Sequence, residues 1–132
     1  LQPKFEKISQ NVIVQKVYIR KYIMPFVTPQ LTAYIWTHHA HDKMRHYRLS
    51  ESRIKRIIRY PNRTEEGVIE DGIACMQPAG GKTYSEIWVM YVLSGTNIAR
   101  QIKIITCWRY PGKSPSRDPI PAEVLREIQQ LI

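Results

Sequence analysis

All four histidines of the chain, His38, His39, His41 and His46, fall within nine residues, interleaved with Lys43, Arg45 and Arg48. Imidazoles exchange protons near neutral pH, while lysine and arginine carry fixed positive charge. Together they suit an RNA phosphate, either to be held or to be cut. Metal-independent cleavage needs a base for the 2′-hydroxyl, cations for the phosphorane-like transition state, and an acid for the leaving 5′-oxygen. His39 and Lys43 stand four apart, so on a helix they project from one face about 6 Å apart. His46 continues that line one turn on. Arg109 is a candidate phosphate clamp, because a guanidinium grips phosphate through two parallel hydrogen bonds, and Tyr110 is a second polar partner. The plainer use of His39 is structural, its ring capping or packing at a helix start beside Ala40. Lys43 and Arg109 would then be surface charges.

Other chemistries fit these residues less well. His38 and His41, at i and i+3, could meet one cation, but no Cys or suitably spaced carboxylate supplies a third ligand, and the surrounding cations repel a metal. Gly80-Gly81-Lys82-Thr83 resembles a phosphate-binding loop only superficially. Met76 stands where glycine is needed, and a strand-like run follows where a helix should start. The second helix offers Arg53, Lys55, Arg56 and Arg59 but only Ser52 among outward base-reading residue types, which fits backbone contact or a solvated face better than DNA recognition. Trp36, Trp88, Trp108 and Tyr84 could stack bases, although aromatic residues in strands serve more often as core.

The elements that must position these groups can be read from periodicity. Residues 26–36 alternate weakly and contain Pro29, giving a loop or short edge strand. Thr37 caps a helix running to about Tyr47, with Ala40, Met44 and Tyr47 as its buried stripe. Ser50 caps a second helix whose apolar face is Ile54, Ile57 and Ile58, and which Pro61 ends. The period then becomes two. Residues 67–77 form a strand interrupted at Asp71-Gly72, residues 78–83 a turn, and residues 84–93 a strand apolar on both faces, hence central. Residues 100–110 form the next strand, with Ile102, Ile104, Thr106 and Trp108 on one face and Lys103, Ile105, Cys107 and Arg109 on the other. A Pro/Gly/Ser linker precedes a terminal amphipathic helix carrying Val124, Leu125, Ile128, Leu131 and Ile132, which serves as core cover or as an assembly surface.

The bulk numbers frame this. The chain has 132 residues, enough for one domain with a real core, and 43% of them are hydrophobic. Its formal net charge of +9 points to a polyanionic partner. Residues 1–63 hold 13 Lys/Arg against 3 Asp/Glu, residues 64–94 hold 1 against 5, and residues 95–132 hold 6 against 3. The basic excess therefore lies in the N-terminal half and the last strand. Cys75 and Cys107 lack metal-type spacing and read as buried apolar residues of a reducing cytoplasm. No apolar run suffices for a membrane span, and residues 11–24 are too punctuated by Gln15, Lys16, Arg20 and Lys21 for a signal peptide.

Several short motifs occur in a suggestive order: Thr37-x-His39-Ala40, Lys43-Met44, Tyr47-Arg48-Leu49-Ser50, Pro61-Asn62-Arg63 closing the second helix, and the strand Ile102-Lys103-Ile104-Ile105-Thr106-Cys107-Trp108-Arg109. Over roughly residues 35–110 the chain thereby resembles a bacterial family of small proteins related to RelE- and BrnT-type toxins, in the barnase–EndoU–colicin–RelE group. Tyr47 stands where such proteins often hold arginine, and the arm over residues 67–83 is longer. The resemblance implies a sheet whose exposed face or edge meets RNA. RelE-type members cut mRNA, often on the ribosome, without a metal; BrnT-type toxins pair with a DNA-binding antitoxin.

The expected fold is α+β, an N-terminal helix pair on an antiparallel sheet of three to four strands with a C-terminal helix. Residues 1–24 would be an extension, either upstream sequence or an extra strand, residues 25–112 the domain, and residues 113–132 a flexible linker and helix. The expected function is that of a cytoplasmic, metal-independent endoribonuclease, the toxin of a toxin–antitoxin pair, with no cofactor. His39, Lys43 and Arg109 would carry the chemistry. Arg45, Arg48, Arg53, Arg56 and Lys103 would hold the RNA, and an acidic antitoxin would cover the basic face. The alternative is a non-catalytic nucleic-acid- or protein-binding domain using the same surface.

Overall fold

The structure, a computed structural model, describes residues 32–96 and 98–131. Residues 1–24, read above as an extension, lie outside the described residues, as do residues 25–31. The described chain runs β1 (Thr32–Trp36), α1 (His38–Tyr47), α2 (Glu51–Arg59), β2 (Arg63–Glu66), β3 (Gly72–Pro78), β4 (Ser85–Gly95), β5 (Arg100–Pro111) and α3 (Ala122–Leu131).

Both N-terminal helices begin and end for local reasons. The Thr37 hydroxyl accepts from the Ala40 amide at 3.1 Å, and the Ser50 hydroxyl accepts from the Arg53 amide at 3.1 Å. Between them Arg48 takes the left-handed conformation at φ 59°, donating its amide to the α1 carbonyls, while the Leu49 amide reaches Met44 O at 2.8 Å. That is the usual helix-stop geometry, here made by arginine instead of glycine. Ala40 and Met44 of α1 and Ile54, Ile57 and Ile58 of α2 are buried, as their spacing requires.

Among the described residues the sheet has five strands in the order β1-β5-β4-β3-β2. It is mixed, not antiparallel throughout: β1 pairs with β5 in parallel, Thr32 beside Arg100 and Trp36 beside Ile104. Of the strand expected over residues 67–77 only the part from Gly72 is a strand, β3, and β2 is an additional strand before it. β2 starts at Arg63, directly after the second helix, and pairs antiparallel with β3, with residues 67–71 turning between them.

The faces of β5 also differ from simple alternation. Thr106 pairs with Met90 but Ile104 pairs with Tyr91, so Ile105 is an extra residue in a bulge. Beyond it the side chains change sides. Ile102, Ile104 and Cys107 pack in the core under α1 and α2, whereas Trp108 packs in the core under α3. Arg109, next in alternation after Trp108, therefore shares the helix-pair face with Ile104, contrary to the face assigned from sequence.

Two cores sandwich the sheet. α1 packs along β5 and α2 over β3 and β4, enclosing Ile73, Cys75, Ile87, Val89 and Tyr91. On the opposite face α3 seals Ala74, Met76, Trp88, Met90 and Trp108 with Val124 and Ile128. The terminal helix is thus core cover. Its connection is no loose tether: Trp108 Nε1 donates to Pro119 O at 3.0 Å, and Ser114 is buried against Glu86.

Candidate nucleic-acid interface

His39 and Lys43 do share a flank of α1, and that flank turns toward α3. Lys43 Nζ lies 3.1 and 3.2 Å from the two Glu127 oxygens, and His39 Nε2 is 3.8 Å from Oε1. The Lys43 ammonium also sits 5.2 Å over the Tyr47 ring. His39 Nε2 is out of solvent contact and has no hydrogen-bond partner. Burial raises the Tyr47 pKa against the opposing charge of Lys43. Burial likewise pushes the Cys107 thiol up to about 12, which keeps it protonated and inert at neutral pH.

Arg109 is used differently. Its Nη2 and Nε donate to the Tyr47 carbonyl at 3.0 and 3.4 Å, at the C-terminal, negative end of α1. From α2, Arg53 Nη2 donates to Pro78 O at 3.0 Å, over the end of β3. The register aligns Gln77, Ile87 and Arg109 across three strands, so β3 and β5 present both anchor points at one end of the sheet. There burial and the neighbouring charges of Arg56 and Arg109 lower the Arg53 pKa. Arg53 Nε is buried without a partner. Among the described residues no carboxylate forms an ion pair with Arg53, Arg56 or Arg109. The charges of Arg56 and Arg109 thus bear on Arg53 with no counterion among the described residues, and the planar fork of arginine is the shape that can grip a phosphate.

The structure therefore joins Arg53, Arg56 and Arg109, and it gathers His39 and Lys43 around Glu127 instead. Arg109 donates to the Tyr47 carbonyl, whereas His39 faces Glu127, and both Lys43 and Arg109 bear on the Cys107 thiol. Arg45 pairs with Asp42 on the outer surface of α1, and Arg48 is exposed at the turn. Lys103 is exposed on β5 and belongs to neither helix core. His38 and His46 are exposed, while His41 stacks on Trp36 with Nε2 3.2 Å from Glu51. Among the described residues no three His, Cys, Asp or Glu side chains gather into a possible metal site. No described helix is long and apolar enough to cross a membrane.

A further polar cluster escaped sequence reasoning. Glu86, fully buried in β4, accepts from Ser114 Oγ at 2.6 Å, Trp88 Nε1 at 2.9 Å and Tyr84 Oη at 2.9 Å, with Arg63 Nη1 at 3.6 Å. Arg63 in turn donates to Ser114 O, Pro115 O and Glu65, and lies 5.1 Å from the Trp88 ring centre. Burial would raise the Glu86 pKa, yet the hydrogen bonds from Ser114, Trp88 and Tyr84 prevail and hold it below the ordinary value. This is a saturated network that clamps β2, β4 and the 112–118 segment together. The one available signal was a lone glutamate in the most apolar strand, which demands a buried partner.

No family model, curated protein or solved structure matches the chain.

Proposed function

We propose that this domain binds RNA by its phosphate backbone, with Arg53, Arg56 and Arg109 as the central anion site and Arg45, Arg48 and Arg59 extending it over α1 and α2. The supporting observation is that, among the described residues, the three central arginines have no carboxylate partner. Lys43, Arg45 and Arg63 each have one. A protein that needed these arginines only for stability would gain from an acid beside them; a phosphate ligand needs the place left open. Backbone contacts carry little sequence information, which suits arginines without neighbouring base readers. Binding should weaken steeply with salt, the slope counting the phosphates engaged. In Arg53→Ala and Arg109→Ala proteins, RNA affinity at low salt should fall about tenfold each. Unchanged affinity in both, with the fold intact, rejects this reading.

A second reading is the cytoplasmic toxin of a toxin–antitoxin pair, a metal-independent endoribonuclease restrained by an acidic antitoxin. One observation favours it: an imidazole, an ammonium and a carboxylate meet at His39, Lys43 and Glu127, groups able to move a proton. Its difficulty is that the His39 Nε2 faces Glu127 out of solvent. Incubating purified protein with mRNA in EDTA, with and without ribosomes, separates the two. Cleavage lost in His39→Ala with the fold kept supports the enzyme; intact mRNA leaves the binding module.

A further inference from the structure

On the β1 side of α2, opposite the arginine site, three rings form a row. Tyr34 and Trp36, two apart on β1, have ring centres 6.1 Å apart and planes 21° apart. Trp36 and His41 follow at 5.8 Å and 13°. All three are half-buried, and the His41 side chain is 39% exposed. Lys55 Nζ sits 4.8 Å from the Tyr34 ring centre at one end, and Glu51 holds His41 at the other. Trp36 and Tyr34 pack against the helix-pair core while staying partly exposed. The other two tryptophans, Trp88 and Trp108, are wholly buried and stack on each other at 5.9 Å. A core role thus accounts for that pair and leaves Trp36 on a near-parallel, solvent-reaching row flanked by α2 cations.

We infer that this row is a stacking platform for unpaired bases, so that the RNA bound is single-stranded. The inference rests on the RNA-binding reading and adds its substrate class. Every base offers a π-face, so near-parallel rings beside cations hold single strands without regard to sequence. Lys55 and Arg59, one turn apart on α2, give the row the positive charge a strand's phosphates require, while Glu51 is engaged by His41. α2, roughly 10 Å across with its side chains, separates the row from Arg53 and Arg56, so one strand could cross the helix and use both. A duplex hides its bases and reaches only the arginines.

The test is a fluorescence titration of the whole chain with a 12-nucleotide oligouridylate and, separately, a 12-base-pair RNA duplex. Because Trp88 and Trp108 are shielded, Trp36 is the tryptophan a stacked base can quench. The oligouridylate should quench emission, bind more tightly than the duplex, and lose the quench in Trp36→Phe. In His41→Ala, single-strand affinity should fall about tenfold more than duplex affinity. Duplex and single strand bound equally, without quenching, overturn the stacking row and leave the phosphate site standing. Neither one bound at low salt overturns both.

Discussion

Arg63 and the Arg53–Arg109 pair lie at the same end of the sheet on opposite faces, and they are finished differently. Under α3, Arg63 spends its donors on Glu65, Ser114 and Pro115 and stands beside Glu86, whose oxygens are saturated in turn. Under α1 and α2, Arg53 and Arg109 are each steadied by a single backbone carbonyl and repel one another, with no acid paired to either among the described residues. The same residue type therefore does two jobs. A buried guanidinium with a saturated carboxylate is a clamp. Guanidinium groups held only by neutral carbonyls keep their charge available to an outside anion.

Breaking the saturated side should cost the most. Glu86→Ala leaves Tyr84, Trp88 and Ser114 without their acceptor and Arg63 without its buried counterion, and should destabilise the fold by about 3 kcal/mol, read as a lowered denaturant midpoint. Its RNA affinity, measured where the protein is still folded, should not change. The pH dependence follows from the same residue. The folded pKa of Glu86 lies below its ordinary value near 4.5, so the stability it adds is present above that value. It fades as pH falls through the folded pKa, and Glu86→Gln should remove that portion of an acid-unfolding curve.

The open side should behave in the opposite way. Arg53→Ala and Arg109→Ala should each lower RNA affinity about tenfold and flatten the salt slope by about one phosphate, with thermal midpoints nearly unchanged. Their sum need not be additive, because the two charges bear on each other.

Arg48 sharpens the contrast on a smaller scale. An arginine at φ 59° occupies a site where glycine is at ease, so Arg48→Gly should stabilise the fold by about 1 kcal/mol in chemical denaturation. It should weaken RNA binding if the exposed guanidinium contacts phosphate. Glu127→Gln should matter least to the fold. The Glu127 side chain is 37% exposed, and glutamine keeps an oxygen to accept from Lys43, so the loss should stay within about 1 kcal/mol.

Much of this arrangement was legible in the sequence, because its cause is local. Thr37 and Ser50 cap, Ala40 and Met44 bury, and Ile54, Ile57 and Ile58 form one stripe; each follows from spacing within a turn or two. What could not be read depends on distant partners. The bulge at Ile105 reverses the faces of Thr106 to Arg109, and nothing in that apolar run announces it. Arg63–Glu66 carries charge at three of its four positions and shows no apolar alternation, so it becomes a strand only through pairing with β3. The parallel partner of β1 lies nearly seventy residues away, shown by the 3.4 Å bond from the Thr37 amide to Ile104 O. At the candidate site the grouping depends on partners far along the chain. Helical spacing joined His39 to Lys43, but Glu127, 84 residues beyond Lys43, is what they meet. Arg53 and Arg109 were named separately, and only the fold makes them neighbours.

The central claim is most directly tested by measuring oligouridylate affinity against salt for the wild type and for Arg53→Ala/Arg109→Ala, alongside thermal melts of both. A double variant that melts like the wild type, with affinity down at least tenfold and a shallower salt slope, is the predicted result. Wild-type affinity and slope in that folded variant would contradict the account.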